Sequence, residues 1–354
     1  MMARLEEICA INMGQSPDSS TYNEDGNGLP FFQGNADFGE IYPAVRMWCS
    51  EPTKIAREKD ILISVRAPIG ALNIANCECC IGRGLAALTV NEDICAQEYL
   101  WHALSGKVDE LNSKGTGSTF KAINKKTLSE TEIPLPPIDE QRKIAAILDK
   151  VSDLIAKRRQ QLDKLDEAVK ARFVEIFGDC YTNPHNLPIE KWNNIFSTTT
   201  GKLDSNAAVE NGKYPFFTCS KETLRINTYA FDQEALLLAG NNAAGKYDVK
   251  YYCGKFNAYQ RTYVLSLKHD WSYALFRFQL EDKLGYLEQQ SLGGLTKYLT
   301  LKILNELEFI VPPKEEQDKF AAFVDQIEKT KTTVSHSLEK LETLKKALMQ
   351  KYFR

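Results

Sequence analysis

Four places in this sequence hold residue types at spacings that could do chemistry, and each stops short of a working set. Gly240-Asn241-Asn242-Ala243-Ala244-Gly245-Lys246-Tyr247 fits the phosphate-loop pattern G-x-x-x-x-G-K. Such a loop wraps phosphates in backbone amides, adds a lysine and then needs a hydroxyl for magnesium as it opens a helix. Here Tyr247 takes the hydroxyl position, and Asp248 to Tyr252 reads as a strand. Asn183-Pro184-His185 begins like the N-P-P-Y motif that holds an adenine amino group, but lacks its second proline and its aromatic. No glycine-rich loop for S-adenosylmethionine accompanies it, so residues 180 to 190 read as a connection. Glu281-Asp282-Lys283 with Asp270 upstream could chelate a metal for phosphodiester cleavage. That segment reads instead as a helix with a solvated charged face. Cys77, Cys79 and Cys80 match no zinc spacing and have no histidine near them in sequence. They read as a buried alternating strand, Cys77 to Ile81, of free thiols suited to a reducing compartment. The expectation is therefore no catalytic residue, no metal and no cofactor on this chain.

At 354 residues the chain is long for one domain, and two is the natural count. A hydrophobic share of 43% with 26% charged residues suits ordinary packed cores. No apolar run approaches the roughly 18 residues that cross a bilayer. The start, Met1-Met2-Ala3-Arg4-Leu5-Glu6-Glu7, turns acidic at once, so a cytoplasmic protein is expected. The net charge of −3 gives no general attraction to nucleic acid. A nucleic-acid binder of this composition has to gather its cations on one surface or borrow them from a partner.

The sequence repeats itself. Glu132-Ile133-Pro134-Leu135-Pro136-Pro137-Ile138-Asp139-Glu140-Gln141 parallels Glu308-Phe309-Ile310-Val311-Pro312-Pro313-Lys314-Glu315-Glu316-Gln317, with Pro136 and Pro312 standing 176 residues apart. The same offset carries Gly117 and Lys121 onto Gly293 and Lys297, and Leu162 onto Leu338. The beginnings of the halves align too: Leu5 to Ile8 with Trp192 to Ile195, Gly14 with Gly201, and Pro30-Phe31-Phe32 with Pro215-Phe216-Phe217. The offset shrinks by Asp60 against Glu234, so the first half holds extra residues between Gly14 and Asp60. Similar ends around a divergent middle mean one scaffold presenting two different surfaces.

Each half opens with short β-prone runs and closes on a long helix. Asp60 to Arg66, Gly84 to Val90, Glu234 to Ala239 and Thr262 to Leu267 are the strongest strands. A Pro-Pro pair followed by acids marks each helix start, and Gly178 suits the end of the first. Leu148, Ile155, Leu162, Val169 and Ile176 recur every seven residues; Ile327, Val334, Leu341 and Leu348 do so in the second copy. About 39 residues of helix make a rod of roughly 58 Å. A seam of this kind packs against another helix. The expected fold is α+β: two tandem, pseudo-repeated α/β heads at 1–138 and 179–314, each followed by a long helix at 139–178 and 315–354. The helices are expected to pair as an antiparallel coiled coil.

Leu135-Pro136-Pro137 followed by Asp139-Glu140-Gln141-Arg142-Lys143-Ile144-Ala145 resembles the central region of type I restriction–modification specificity subunits. Asp60 to Arg66, Cys80-Ile81-Gly82-Arg83-Gly84 and Phe173-Val174-Glu175-Ile176-Phe177-Gly178-Asp179 resemble further strings of the same family, and the likeness spans essentially the whole chain. The second half departs from it: Ala239-Gly240 replaces Val65-Arg66, and no Gly-Arg-Gly stands near Gln260-Arg261. The resemblance implies that each head is a target recognition domain reading one part of a bipartite double-stranded DNA target. It further implies that the helices fix the spacing and dock two methylation subunits, which bind S-adenosylmethionine, and that restriction subunits can join.

On that basis the first head is expected to meet DNA through Arg66, Arg83, Lys114, Ser118 and Lys121. The second would use Asn241, Asn242, Lys246, Gln260, Arg261 and Lys297. Arginine and lysine suit guanine edges and phosphates, asparagine and glutamine suit adenine. The partner-binding helices are expected to act through Leu148, Ile155, Leu162, Val169, Ile327, Val334, Leu341 and Leu348. Two other readings remain at this point: an assembly scaffold whose heads no longer read DNA, and a nucleotide-using protein built on Gly240 to Lys246.

Overall fold

The computed structural model describes residues 1–117, 121–243 and 245–353. They form two compact units, one made of residues 1–159 and 336–354, the other of residues 160–335. The division falls inside both long helices, Ile138–Phe177 and Lys314–Phe353, where the sequence separates heads from rods at the helix ends. Each unit thus takes one head together with a stretch of each helix.

In the first unit the strands Cys9–Met13, Leu85–Val90, Ile61–Ser64 and Leu72–Ile74 lie side by side in that order, every pair antiparallel. The central strands read as unbroken apolar runs because both faces are covered. Ile61, Ile63, Ala86 and Leu88 join the main core with Tyr99, Leu100 and the helix residues Ile144, Ala145 and Leu148. Leu62, Leu85 and Ala87 turn the other way, onto Phe32, Cys79 and Ile81. The strand expected over Cys77 to Ile81 is shorter than that, with Cys77 and Glu78 outside it. The strand is Cys79–Ile81, and all three of its residues are buried, with Cys80 packed against Phe31 and Cys49 on the opposite side.

The second unit repeats the plan. Phe196–Thr200, Thr262–Leu267, Phe231–Ala239 and Val249–Ala258 form the same antiparallel order, continued by Tyr214–Phe217 and Leu224–Ile226. Phe31-Phe32 pairs in parallel with Cys80-Ile81, and Phe216-Phe217 with Asn257-Ala258, so the aligned Pro-Phe-Phe strings do one structural job. A single ten-residue strand, Val249–Ala258, here replaces the two shorter strands Leu72–Ile74 and Cys79–Ile81. The extra residues of the first half supply the short strands Trp48–Cys49 and Ile55–Ala56. Gly14 and Gly201 recur because a Cβ there would sit 2.2 Å from the Gly82 carbonyl oxygen and 1.8 Å from that of Ala258.

The long helices enter each unit's core. In the first, Leu348 and Phe353 pack into the cluster that holds Leu148, and Arg159 Nη2 lies 2.6 Å from Glu342 Oε1. In the second, Phe173 and Phe177 meet Phe320 edge-on, and Lys331 Nζ lies 2.7 Å from Asp166 Oδ1. Within either unit the two helices therefore run in opposite directions. Leu148, Ile155 and Val334 are buried; Leu162, Val169, Ile327, Leu341 and Leu348 are half-buried. No helix among the described residues is long and apolar enough to cross a membrane.

Candidate nucleic-acid interface

In the first unit the central strand Ile61–Ser64 runs out into Val65-Arg66, and three segments close around it. The Val65 amide donates to the Gly84 carbonyl (2.9 Å), the Ala67 amide to the Lys121 carbonyl (3.0 Å), and the Ile123 amide to the Val65 carbonyl (2.9 Å). Arg66 bridges Ala122, which also pairs with Thr116. Arg66, Arg83 and Lys121, separated by up to 55 residues from Arg66 to Lys121, thus stand on strand ends and turns knit together by backbone hydrogen bonds. All three are exposed, and among the described residues none of them forms an ion pair. Lys114 differs: its Nζ is 2.6 Å from Glu110 Oε1, whose partner oxygen holds Lys107. The two lysines keep the Glu110 carboxyl below its ordinary range. Ser118 lies outside the described residues.

The second unit builds the same junction from different side chains. The Gly240 amide donates to the Arg261 carbonyl (2.9 Å) and the Leu299 amide to the Gly240 carbonyl (2.8 Å). Asn241 and Asn242 then pair with Tyr298 and Lys297 as a two-stranded ribbon. Gln260, Arg261 and Lys246 are exposed, with Gln260 Nε2 3.3 Å from Asp204 Oδ2. A cleft of about 160 Å³ between Thr200, Gly240, Gln260, Arg261, Tyr263 and Leu299 opens here. Burial pushes the Tyr263 phenol up, and the Arg261 guanidinium pulls it back. All six residues expected in this head therefore belong to one place. It is the end of the sheet that corresponds to the Arg66 end of the first.

The other chemistry-bearing spacings settle into structural roles. Gly240 to Lys246 joins strands on both sides and opens no helix. Glu281 pairs with Arg277 (2.8 Å), and burial holds its carboxyl above the ordinary range against that cation. Lys283, expected on a solvated face, is buried instead, its ammonium 4.7 Å from the Tyr181 ring. Sequence reasoning passed over a second group of cations. Lys54, Arg57 and Lys125 line a cleft of about 740 Å³ beside the edge strand Cys9–Met13, together with Asp60. Lys54 and Arg57 flank the strand Ile55–Ala56 while Lys125 opens the helix Lys125–Ser129, so only the fold gathers them.

The model of the type I restriction modification DNA specificity domain matches residues 1–166 and again residues 191–343. The chain belongs to that family. Each match covers one head and most of the long helix that follows it. A Methanocaldococcus jannaschii protein provisionally named type I restriction enzyme MjaX specificity subunit is 44% identical over 165 residues, 47% of this chain and 39% of that protein. This chain thus spans about two fifths of that relative's length. The MjaIX specificity subunit of the same organism is 24% identical over 332 residues, covering 82% of this chain and 76% of the relative. A crystal structure of a type I restriction-modification S subunit from M. genitalium superposes over 100% of this chain and 96% of its own at a TM-score of 0.71, with 15% identity, which establishes a shared fold.

Proposed function

We propose that this specificity-domain protein selects the DNA sequence for a type I restriction–modification complex, with one head on each half of a bipartite double-stranded target. The observation that carries the reading is the repeated junction. At the same sheet end of both units, backbone hydrogen bonds fix turns bearing cations that form no ion pair among the described residues, joined in the second unit by amide side chains. Cations there suit phosphates, and Arg, Gln and Asn suit base edges. Concentrating them on one end answers the objection raised by a net charge of −3.

In this reading the chain does no chemistry of its own. Two methylation subunits dock on the helices and bring S-adenosylmethionine, restriction subunits can join, and the complex works in the cytoplasm. The seam residues are taken up inside the units, but Ile147, Leu154, Val174 and Leu344 remain exposed on the same helices and offer apolar area for docking. A continuous antiparallel coiled coil, following the heptads, would hold the half-sites at one separation.

The test is co-expression with a candidate methylation subunit, then selection of bound duplexes from a random pool. Enrichment of a split motif with a constant gap is the expected result. A stable protein complex that enriches no motif would leave an assembly scaffold.

A further inference from the structure

The second head carries a feature that hydrogen-bonding recognition does not explain. Leu292 and Tyr298 face each other across a hairpin, each amide donating to the other's carbonyl (3.0 and 2.9 Å). Five residues lie between them in the turn: Gly293, Gly294, Leu295, Thr296 and Lys297. Gly293 takes φ of +101°, and a Cβ there would meet the Thr296 carbonyl oxygen at 2.3 Å, so the turn requires glycine. Gly294 has open space around it. At the tip Leu295 is 96% exposed, beside Leu292 at 48% and Tyr298 at 39%.

One exposed leucine needs no explanation, but three apolar side chains on one narrow hairpin form a patch. What surrounds the patch says what covers it. Tyr298 and Lys297 are the ribbon partners of Asn241 and Asn242, and Gly245 packs against the Lys297 stem beside Glu288. Leu299, next in the chain, hydrogen-bonds to Gly240, which also holds the Arg261 carbonyl. Lys246, Arg261 and Lys297 form no ion pair among the described residues. An apolar tip rimmed by such cations and amides fits a polyanion whose interior is apolar. That is the base stack of a duplex, which proteins enter with Leu, Ile, Met or Phe wedges.

We infer that Leu295 is a wedge that enters the DNA stack at one base step of the second head's half-site, resting on the reading of this end of the sheet as the DNA-facing one. Gly293 and Gly294 keep the hairpin narrow enough to follow it. Lys297 and Lys246 would hold the flanking phosphates while Leu292 and Tyr298 cover the opened bases. The apolar positions of this hairpin are not repeated residue for residue in the first half. By the offset of 176, Thr116, Thr119 and Ala122 stand where Leu292, Leu295 and Tyr298 do. A wedge adds discrimination because pyrimidine–purine steps unstack more readily than others.

The experiment uses the full chain co-purified with its methylation subunit and the duplex enriched from the random pool, with 2-aminopurine placed at each position of either half-site in turn. Wild type should brighten the probe at one step in one half-site. L295A should abolish that signal, weaken specific binding about tenfold and leave the salt dependence unchanged, because no phosphate contact is lost. L295M should restore both. Selective binding by L295A with wild-type affinity and fluorescence would overturn the wedge and leave the DNA-reading function standing. So would a thymine-to-uracil change that weakens wild type but not L295A, since that marks a methyl contact. Failure of the pool to enrich any motif would remove the DNA reading itself, and the wedge with it.

Discussion

Lys114 and Lys121 stand seven residues apart in the sequence of the first head, and their surroundings give them different freedom. Lys114 is held to Glu110 at 2.6 Å, so DNA would have to break an existing pair to use it. Lys121 is exposed and forms no ion pair among the described residues, and its backbone fixes Ala67 beside Arg66. Substituting Arg66 or Lys121 by alanine should therefore weaken specific binding of the assembled complex about tenfold, the scale of one lost base or phosphate contact. A lysine that touches phosphate should also flatten the plot of log affinity against log salt by about one unit. Lys114→Ala should stay within about twofold of wild type on the same reasoning, since an exposed ion pair contributes little. Titrating all three at several salt concentrations separates these outcomes, and unchanged affinity in Arg66→Ala and Lys121→Ala would reject this end of the sheet as the contact surface. The residue types announced the chemistry here. Which lysine was already engaged did not show in the sequence, because Glu110 is only one of many acids within reach of a helix turn.

At the scale of the element, Gln141 and Gln317 show how a repeated motif can be read correctly in position and incompletely in meaning. Pro-Pro followed by acids marked the helix starts to within a residue, because proline and acids suit the first turn. The glutamine of the same motif caps a different helix. Gln141 Oε1 accepts from the Ala96 amide, at the start of helix Gln97–Ser105, while its Nε2 donates to the Ile94 and Pro136 carbonyls. Gln317 does the same for Ser272 and Pro312, at the start of helix Tyr273–Asp282. Both side chains are buried, and both tie a long helix to its own head across 45 residues of sequence. Nothing in local spacing points to a partner that far away. Gln141→Ala should destabilise the first unit by about 2 kcal/mol, because it strands a buried amide and two carbonyls. A urea titration gives the midpoint shift, and hydrogen exchange at the Ala96 amide should rise with it. A shift no larger than that of Gln160→Ala, at an exposed position of the same helix, would show that water replaces the lost bonds. Strands were harder to read than helices for a related reason. Cys79–Ile81 is buried on both faces, so the period of two that marks a one-sided strand is missing.

For the molecule as a whole, the duplication was legible because its markers are backbone devices: a Pro-Pro helix start, a glycine pressed against a carbonyl, a Pro-Phe-Phe strand. The proposed recognition surface was legible only in outline. Its residues come from turns that the fold brings together and that differ between the halves, as Leu295 against Thr119 illustrates. On the proposed function, the long helices act as the ruler between half-sites, and that can be tested by lengthening them. One extra heptad in each, placed after Arg159 and after Ser335 where the units divide, keeps both apolar seams in phase. It adds about 10 Å of helix, equal to roughly three base pairs of rise, but turns the second half-site about a third of the way around the duplex. Three heptads add about 31 Å, close to the 34 Å of a full turn, and bring the half-site nearly back to the same face. Repeating the random-pool selection should then give a sharp contrast. The single-heptad protein should enrich its motif poorly, whereas the three-heptad protein should recover it with both half-sites unchanged and the gap wider by about nine base pairs. An unchanged gap in the longer protein would assign the ruler to the methylation subunits, because a helix that sets the spacing cannot grow by a full turn of DNA without moving it.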